Sequence, residues 1–167
     1  MFSFYNRHNN DLYNKLVELS RNIFFYKELR LKDNFETRII LIFYHFSIIL
    51  IRFKEMKKKP FSQKIFDNIF LNVEYHLREL GQGDVTANKN MKRLNKIFYD
   101  ILLKLKTENI KKFDINQSII SRHLSLGPED KSNILKLSKY LTSFYEFCFE
   151  LDHESMLKGR INFKYIK

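Results

Sequence analysis

Apolar residues recur along this chain at intervals of three and four, the spacing that puts side chains on one side of an α-helix. Leu12, Leu16, Leu19 and Ile23 form the first such series, with Asn10 or Asp11 as its cap, and predict a helix to about residue 28. In LKDNFETR, Asp33 or Asn34 caps a second helix over about 35–56. This one is apolar nearly all round, which places it centrally in the fold. The run KKKP at 57–60 ends it, because the residue before a proline avoids the α region. Ser62 caps a third helix over about 62–80, with Ile65, Ile69, Val73, His76/Leu77 and Leu80 on one face. GQGD breaks the chain, and a fourth helix over about 85–107 carries Met91, Leu94, Phe98, Ile101 and Leu105. A fifth, near 114–124, leads into LGPED. There Gly127 suits a helix C-cap, Pro128 a first-turn position, and Glu129 and Asp130 the positive end of the next helix dipole. The sixth helix, about 129–151, carries Ile134/Leu135, Leu137, Leu141, Phe144, Phe147 and Leu151. No stretch alternates at period two and no segment repeats. The pattern predicts an all-α fold: a single-domain bundle of about six helices over 1–167, with 1–10 as a lead-in. Residues 152–167 form a C-terminal packing arm, as a short helix or an extended strand of chain.

Composition supports this picture. Four glycines and two prolines disfavour a turn-rich sandwich or barrel, and 44% hydrophobic residues supply a core. The net charge of +11 suits an anionic partner such as nucleic acid, a ribosome surface or anionic lipid. A competing explanation is compositional: 21 lysines stand against 9 arginines, and Asn, Ile and Phe are abundant, as in proteins from AT-rich genomes. Cys148 is the only cysteine, which rules out an internal disulfide and a thiolate zinc site, and its apolar and acidic neighbours fit an inert core residue. The most apolar stretch, IILIFYHFSIILI at 39–51, falls short of the roughly 20 residues a membrane-spanning helix needs, so it is expected to be a buried helix. The opening residues lack the layout of a signal peptide.

Catalytic chemistry is not expected. His8, His45, His76, His123 and His153 never pair at helical spacing, and neither H-E-x-x-H nor paired Glu-x-x-His occurs, so no metal or cofactor is expected. Ser121 and His123 cannot face one another on a helix. The stretch LRELGQGDVTANKNMKRL at 77–94 has two glycines close together, but lacks the G-x-x-x-x-G-K-[ST] spacing and follows a helix rather than a strand. Capping accounts for it: Gly81 as a left-handed C-cap, Gly83 in a sharp turn, Asp84 as the next N-cap. Capping leaves a basic face unexplained. Lys89, Arg93 and Lys96 lie at i, i+4 and i+7, Lys92 sits beside them, and Arg78 stands at the turn. These five form the candidate interaction surface, readable either as a solvated face or as a cationic rim beside an apolar groove. The aromatics pose a similar choice. Phe24, Phe25 and Tyr26 run consecutively, and Phe144, Tyr145, Phe147 and Phe149 cover more than one helix face, so either some rings stay exposed for a partner or all serve the core.

LRELGQGD, with Lys92 and the pair Phe98–Tyr99 on the following helix, resembles the ubiquinol–cytochrome c chaperone family. The family stretch is a helix ending in L-R-E-hydrophobic-G, a G-D turn, then basic residues and F-Y; here it matches Leu77, Arg78, Glu79, Leu80, Gly81, Gly83, Asp84, Lys92, Phe98 and Tyr99. Phe35, Arg38 and His45 upstream, Ser62–Gln63, Arg122, Gly159 and Phe163 are similar as well, so the resemblance spans about residues 24–163. Three positions depart: Gln82 for an aliphatic residue, Asn88 for glycine, and His123 where asparagine is expected. The resemblance implies a non-enzymatic assembly factor for cytochrome b of the ubiquinol–cytochrome c reductase complex (respiratory complex III). Its implied partners are nascent or newly inserted cytochrome b, the ribosome or an anionic membrane surface, and a small partner subunit; specific DNA binding is not expected. It further implies a bacterial member in the cytoplasm, peripheral at the inner membrane, or the matrix side in a eukaryote. Two alternatives stand beside this reading. One is a nucleic-acid- or ribosome-binding helical module resting on the charge. The other is a lipid- or quinone-binding bundle with a closed cavity lined by residues such as Phe46, Phe98 and Phe144.

Overall fold

The computed structural model of the protein describes residues 11–109 and 111–166. Among these residues eight α-helices follow in chain order: α1 (Asp11–Ser20), α2 (Ile23–Lys27), α3 (Phe35–Glu55), α4 (Gln63–Glu79), α5 (Asp84–Lys104), α6 (Gln117–Leu124), α7 (Lys131–Phe147) and α8 (His153–Leu157). Among the described residues there is no strand; an isolated bridge pairs Lys106 with Ile115. The all-α bundle predicted from periodicity is what forms.

α3 is the axis of the bundle. Every residue from Ile39 to Ile49 is buried, and α1, α5, α6 and α7 pack around it. Its start is fixed by Asn34, whose side chain accepts a hydrogen bond from the Thr37 amide at 2.9 Å. Its end comes at Glu55, after which Lys57 takes a left-handed φ of 51° and turns the chain toward Pro60. Ser62 caps α4, as its position before Gln63 predicts, by accepting from the Ile65 amide.

Two aromatic clusters fill the core on opposite sides of α3. In one, Phe98 of α5 lies 5.3 Å from Phe43, 5.6 Å from Phe46, 5.8 Å from Phe66 and 5.0 Å from Phe70, ring centroid to centroid. In the other, His45 sits among Phe25, Tyr140 and Phe144. Its Nδ1 donates to the Leu41 carbonyl at 2.7 Å, which leaves Nε2 to accept from the Tyr140 hydroxyl at 2.9 Å. Burial pushes the His45 pKa down to about 4, so the ring is neutral at pH 7. Phe46 and Phe98 therefore occupy one cluster and Phe144 the other, each in direct ring contact with its neighbours rather than around a shared cavity.

Several boundaries differ from the sequence reading. The predicted first helix is two helices, because the chain bends at Arg21–Asn22 and Asn22 caps α2 by accepting from the Phe24 amide at 3.0 Å. The Tyr26 hydroxyl donates to the Ser20 carbonyl at 2.7 Å and fastens the bend. Asn10 and the lead-in 1–10 lie outside the described residues. α6 begins later than predicted, at Gln117, since residues 114–116 run beside 105–107 through the bridge. Its C-cap is Ser125, in the left-handed region at φ 53°, and not Gly127, which is extended and opens the 3₁₀ turn Pro128–Asp130. A second 3₁₀ turn, Cys148–Glu150, closes α7. Cys148 is buried, and burial pushes its thiol up to about 12, as expected of an inert core cysteine.

The C-terminal arm is both things the sequence allowed: a short helix, α8, followed by extended chain. Phe163 packs 5.5 Å from Tyr140 and 5.2 Å from Phe144, and Tyr165 packs 5.1 Å from Phe24. At Gly159 the chain turns at φ 66° and passes so close to α1 that a Cβ there would lie 2.5 Å from the Asp11 carbonyl oxygen.

Candidate functional site

The site of interest is the α4–α5 hairpin. α4 ends in a Schellman motif: the Gln82 amide donates to the Leu77 carbonyl at 3.3 Å and the Gly81 amide to the Arg78 carbonyl at 2.9 Å. That motif needs a left-handed residue between them, and Gly81 supplies it at φ 89°. Gly83 differs from the sequence expectation: it is an extended N-cap at φ −72°, a conformation open to any residue, with nothing near its missing Cβ. Asp84 is the first helical residue rather than the cap. Its carboxylate is bound by the Arg78 guanidinium, which also donates to Glu74 at 2.9 Å, and it sits where the α5 dipole favours negative charge. Arg78 thus clamps the turn between two carboxylates.

Of the basic residues on α5, Arg93 donates to Glu36 at 2.7 Å and ties the hairpin to the start of α3. Lys89, Lys92 and Lys96 are exposed and make no ion pair with any described residue. The structure thus separates the five-residue surface into two arginines committed to neighbouring carboxylates and three lysines open to solvent.

The apolar groove lies on the same hairpin. Phe66, Phe70 and Leu71 of α4 face Met91, Asn95 and Tyr99 of α5 across a cleft of about 390 Å³. Leu71 is 41% exposed and Tyr99 48% exposed, while Phe66, Phe70 and Met91 are partly buried beneath them. At about 100° per residue, Lys92 and Lys96 follow Tyr99 around α5, so the open lysines rim the groove on that side. Exposed Leu103 and Val85 lie on this same face. Asp67 and Glu74 mark the opposite rim. The aromatic clusters around Phe43, Phe46 and Phe144 are closed over. Phe43, Phe46 and Phe144 are fully buried, and the arm residues Phe163 and Tyr165 lie over the α7 cluster; in the two aromatic runs singled out from sequence, at 24–26 and 144–149, Phe149 is the one exposed ring, at 52%.

The other motif residues are structural in placement. Phe98 is the hub of the first aromatic cluster, His45 of the second, and Arg38 pairs with Asp33 at 2.6 Å beside the α3 cap. Arg122 donates to Asp100 at 2.9 Å. Asp100 also binds Lys104 at 2.6 Å and His123 Nε2 at 2.7 Å, and these contacts, Lys104 foremost, hold its carboxyl down at about 2. His123, which departs from the family pattern, is therefore part of the network that joins α5 to α6. Phe66, Phe70 and Leu71 were not singled out from sequence. Their one signal is that they lie outside the stripe of Ile69, Val73 and Leu77 and still are apolar. Among the described residues no group of His, Cys, Asp or Glu is placed to hold a metal, and no helix is long and apolar enough to cross a membrane.

A family model described as ubiquinol-cytochrome C chaperone matches residues 27–163. Among solved structures, a crystal structure described as the Cbp3 homolog from Brucella abortus superposes with a TM-score of 0.68 at 22% sequence identity, covering 93% of this chain and 87% of the other. That likeness shows the fold. No curated protein matches the chain in sequence.

Proposed function

The chain belongs to the ubiquinol–cytochrome c chaperone family, and from that premise we propose that it assists assembly of the ubiquinol–cytochrome c reductase complex by holding cytochrome b, nascent or newly inserted, without catalysing a reaction. The observation that carries this reading is the α4–α5 groove. A monomer has little reason to leave Leu71, Tyr99 and Leu103 in water on one hairpin unless another apolar surface covers them. Aromatic rings and a methionine suit a client segment of varied shape, since they offer wide contact area and Met91 adapts its rotamer. An apolar helix laid in such a groove is a familiar recognition mode. The lysines on the rim would meet the phosphates or anionic flanks that accompany a membrane segment. A small partner subunit and a ribosome contact fit the same reading, with the protein acting in the cytoplasm against the inner membrane, or on the matrix side in a eukaryote.

The test is genetic and biochemical. Deleting the gene is expected to lower cytochrome b and ubiquinol–cytochrome c reductase activity. The wild-type chain is expected to restore both, and a Leu71→Glu/Tyr99→Glu variant to restore neither while remaining folded. Unchanged activity on deletion would overturn the proposal.

A second reading, RNA or ribosome binding, is favoured by the unpaired Lys89, Lys92 and Lys96. Three phosphate contacts predict that the logarithm of RNA affinity falls with that of salt at a slope of about −2 to −3. Binding that ignores salt, or survives reversal of these charges, counts against it.

A further inference from the structure

The turn between α3 and α4 carries a feature the hairpin does not use. Leu50, Phe53 and Phe61 floor a slot of about 380 Å³, and the side chains around its mouth are Lys54, Lys57, Lys58 and Lys59. All four lysines are exposed, and none makes an ion pair with any described residue. No acidic side chain lines the slot. The nearest carboxylate in sequence, Glu55, is committed elsewhere, accepting from the Tyr145 hydroxyl at 2.6 Å with Lys106 at 3.5 Å. The left-handed turn at Lys57 and the proline at 60 hold this run of like charges on a short loop, against their mutual repulsion. Four uncompensated cations around an apolar floor match a ligand that is anionic at its head and hydrocarbon beneath.

We propose that this slot docks the protein on an anionic phospholipid bilayer, with lipid phosphates among the four lysines and the adjoining glycerol and methylene groups over Leu50 and Phe61. The floor decides between a membrane and a nucleic acid. A base needs an open ring face to stack on. Phe53 is 2% exposed, with His153 stacked on it at 4.1 Å and the Phe61 ring against it at 5.2 Å, so it offers no such face. That leaves Phe61, partly buried and edge-to-face with Phe46 and Phe53, beside the aliphatic Leu50, a floor better matched to methylene groups than to successive stacked bases. The inference rests on the reading above only for the expectation that the client is met at a bilayer. Vesicle binding is read without client, so its failure would leave the α4–α5 groove untouched, and failure of client binding would leave the slot untouched.

The experiment is co-sedimentation of the full chain with phosphatidylcholine vesicles, with and without about one-third phosphatidylglycerol, at fixed ionic strength. Wild type is expected to bind the anionic vesicles and not the neutral ones. At about fivefold per lysine, K57Q/K58Q/K59Q should weaken binding by about 100-fold and K58Q/K59Q by about 25-fold. The double variant leaves the left-handed Lys57 in place, and thermal melts check that both variants fold. The equal-charge control K131Q/K136Q/K139Q, at exposed lysines of α7, should stay within about threefold of wild type, and excess inorganic phosphate at matched ionic strength should not compete. Four results would overturn the proposal: no binding by wild type; equal loss in the control, which would mean diffuse charge; competition by free phosphate, which would mean a soluble anion site; or variants that lose RNA binding while keeping vesicle binding.

Discussion

Acidification should unfold this protein through one buried ring. His45 is fully buried, its Nδ1 proton is given to the Leu41 carbonyl, and its Nε2 accepts from Tyr140, so there is no room for a second ring proton without losing that bond. Its pKa is about 4 in the folded chain against 6.5 when exposed. Between those values the unfolded chain binds the proton and the folded chain does not, so stability is intact above about pH 6.5 and falls as pH drops toward 4. The full difference corresponds to about 3 kcal/mol, of which about 2 is lost by pH 5. Against the 5–15 kcal/mol typical of a domain, that is a large share. The assay is urea unfolding followed by circular dichroism at pH 7 and pH 5, on wild type and His45→Gln. Asp100, held at about 2, stays ionised over this range. Wild type should lose about 2 kcal/mol more than the variant on going to pH 5. Equal losses in the two proteins would refute the reasoning.

Four further substitutions test the geometry. Gly81→Ala should cost about 1 kcal/mol in thermal or urea unfolding because φ is 89°, whereas Gly83→Ala, extended and unobstructed, should be neutral or slightly stabilising. Gly159→Ala combines a positive φ with a Cβ 2.5 Å from the Asp11 carbonyl oxygen, so its melting temperature should fall by several degrees, for a cost of about 1–3 kcal/mol. Asp100→Asn removes the charge and one of the two oxygens shared by Lys104, Arg122 and His123 and should cost about 1–2 kcal/mol at pH 7, with partial exposure limiting the effect. Because the Asp100 pKa is lowered from 3.8 to about 2, the part of this stability that depends on its charge is present above pH 3.8 and disappears as pH falls to 2, which paired urea titrations of wild type and variant would reveal.

What the chain discloses in advance is set by local physics. α3 was legible because eleven consecutive buried residues, Ile39 to Ile49, override any amphipathic pattern, and its caps at Asn34 and the KKKP stop are local signals. The Gly81 turn was legible for the same reason: a left-handed C-cap is written in a few residues. The bend at Asn22 was not, since continuous apolar spacing across 12–23 hides a break fixed by the Tyr26–Ser20 bond. Nor could sequence say where the exposed apolar surface lies. The α7 aromatics read as candidates for exposure, and those of α4 drew no such reading. The α7 rings are covered because an extended arm some 20 residues later lays Phe163 and Tyr165 over them, while Leu71 and Tyr99 stay exposed. The pairing of Arg78 and Arg93 with carboxylates is likewise a matter of docking. It leaves Lys89, Lys92 and Lys96 as the open part of the basic face.

The central claim is that cytochrome b is held in the α4–α5 groove, and site-specific photo-crosslinking during synthesis tests it most directly. A photoreactive amino acid would replace Leu71, Tyr99 or, as a control, Leu135 on α7, which is similarly exposed at 47%. Each variant would be present while cytochrome b is translated in the presence of membranes. Adducts with cytochrome b from positions 71 and 99, and none from 135, are the predicted result. No adduct from the groove, or adducts of equal yield from position 135, would contradict the account.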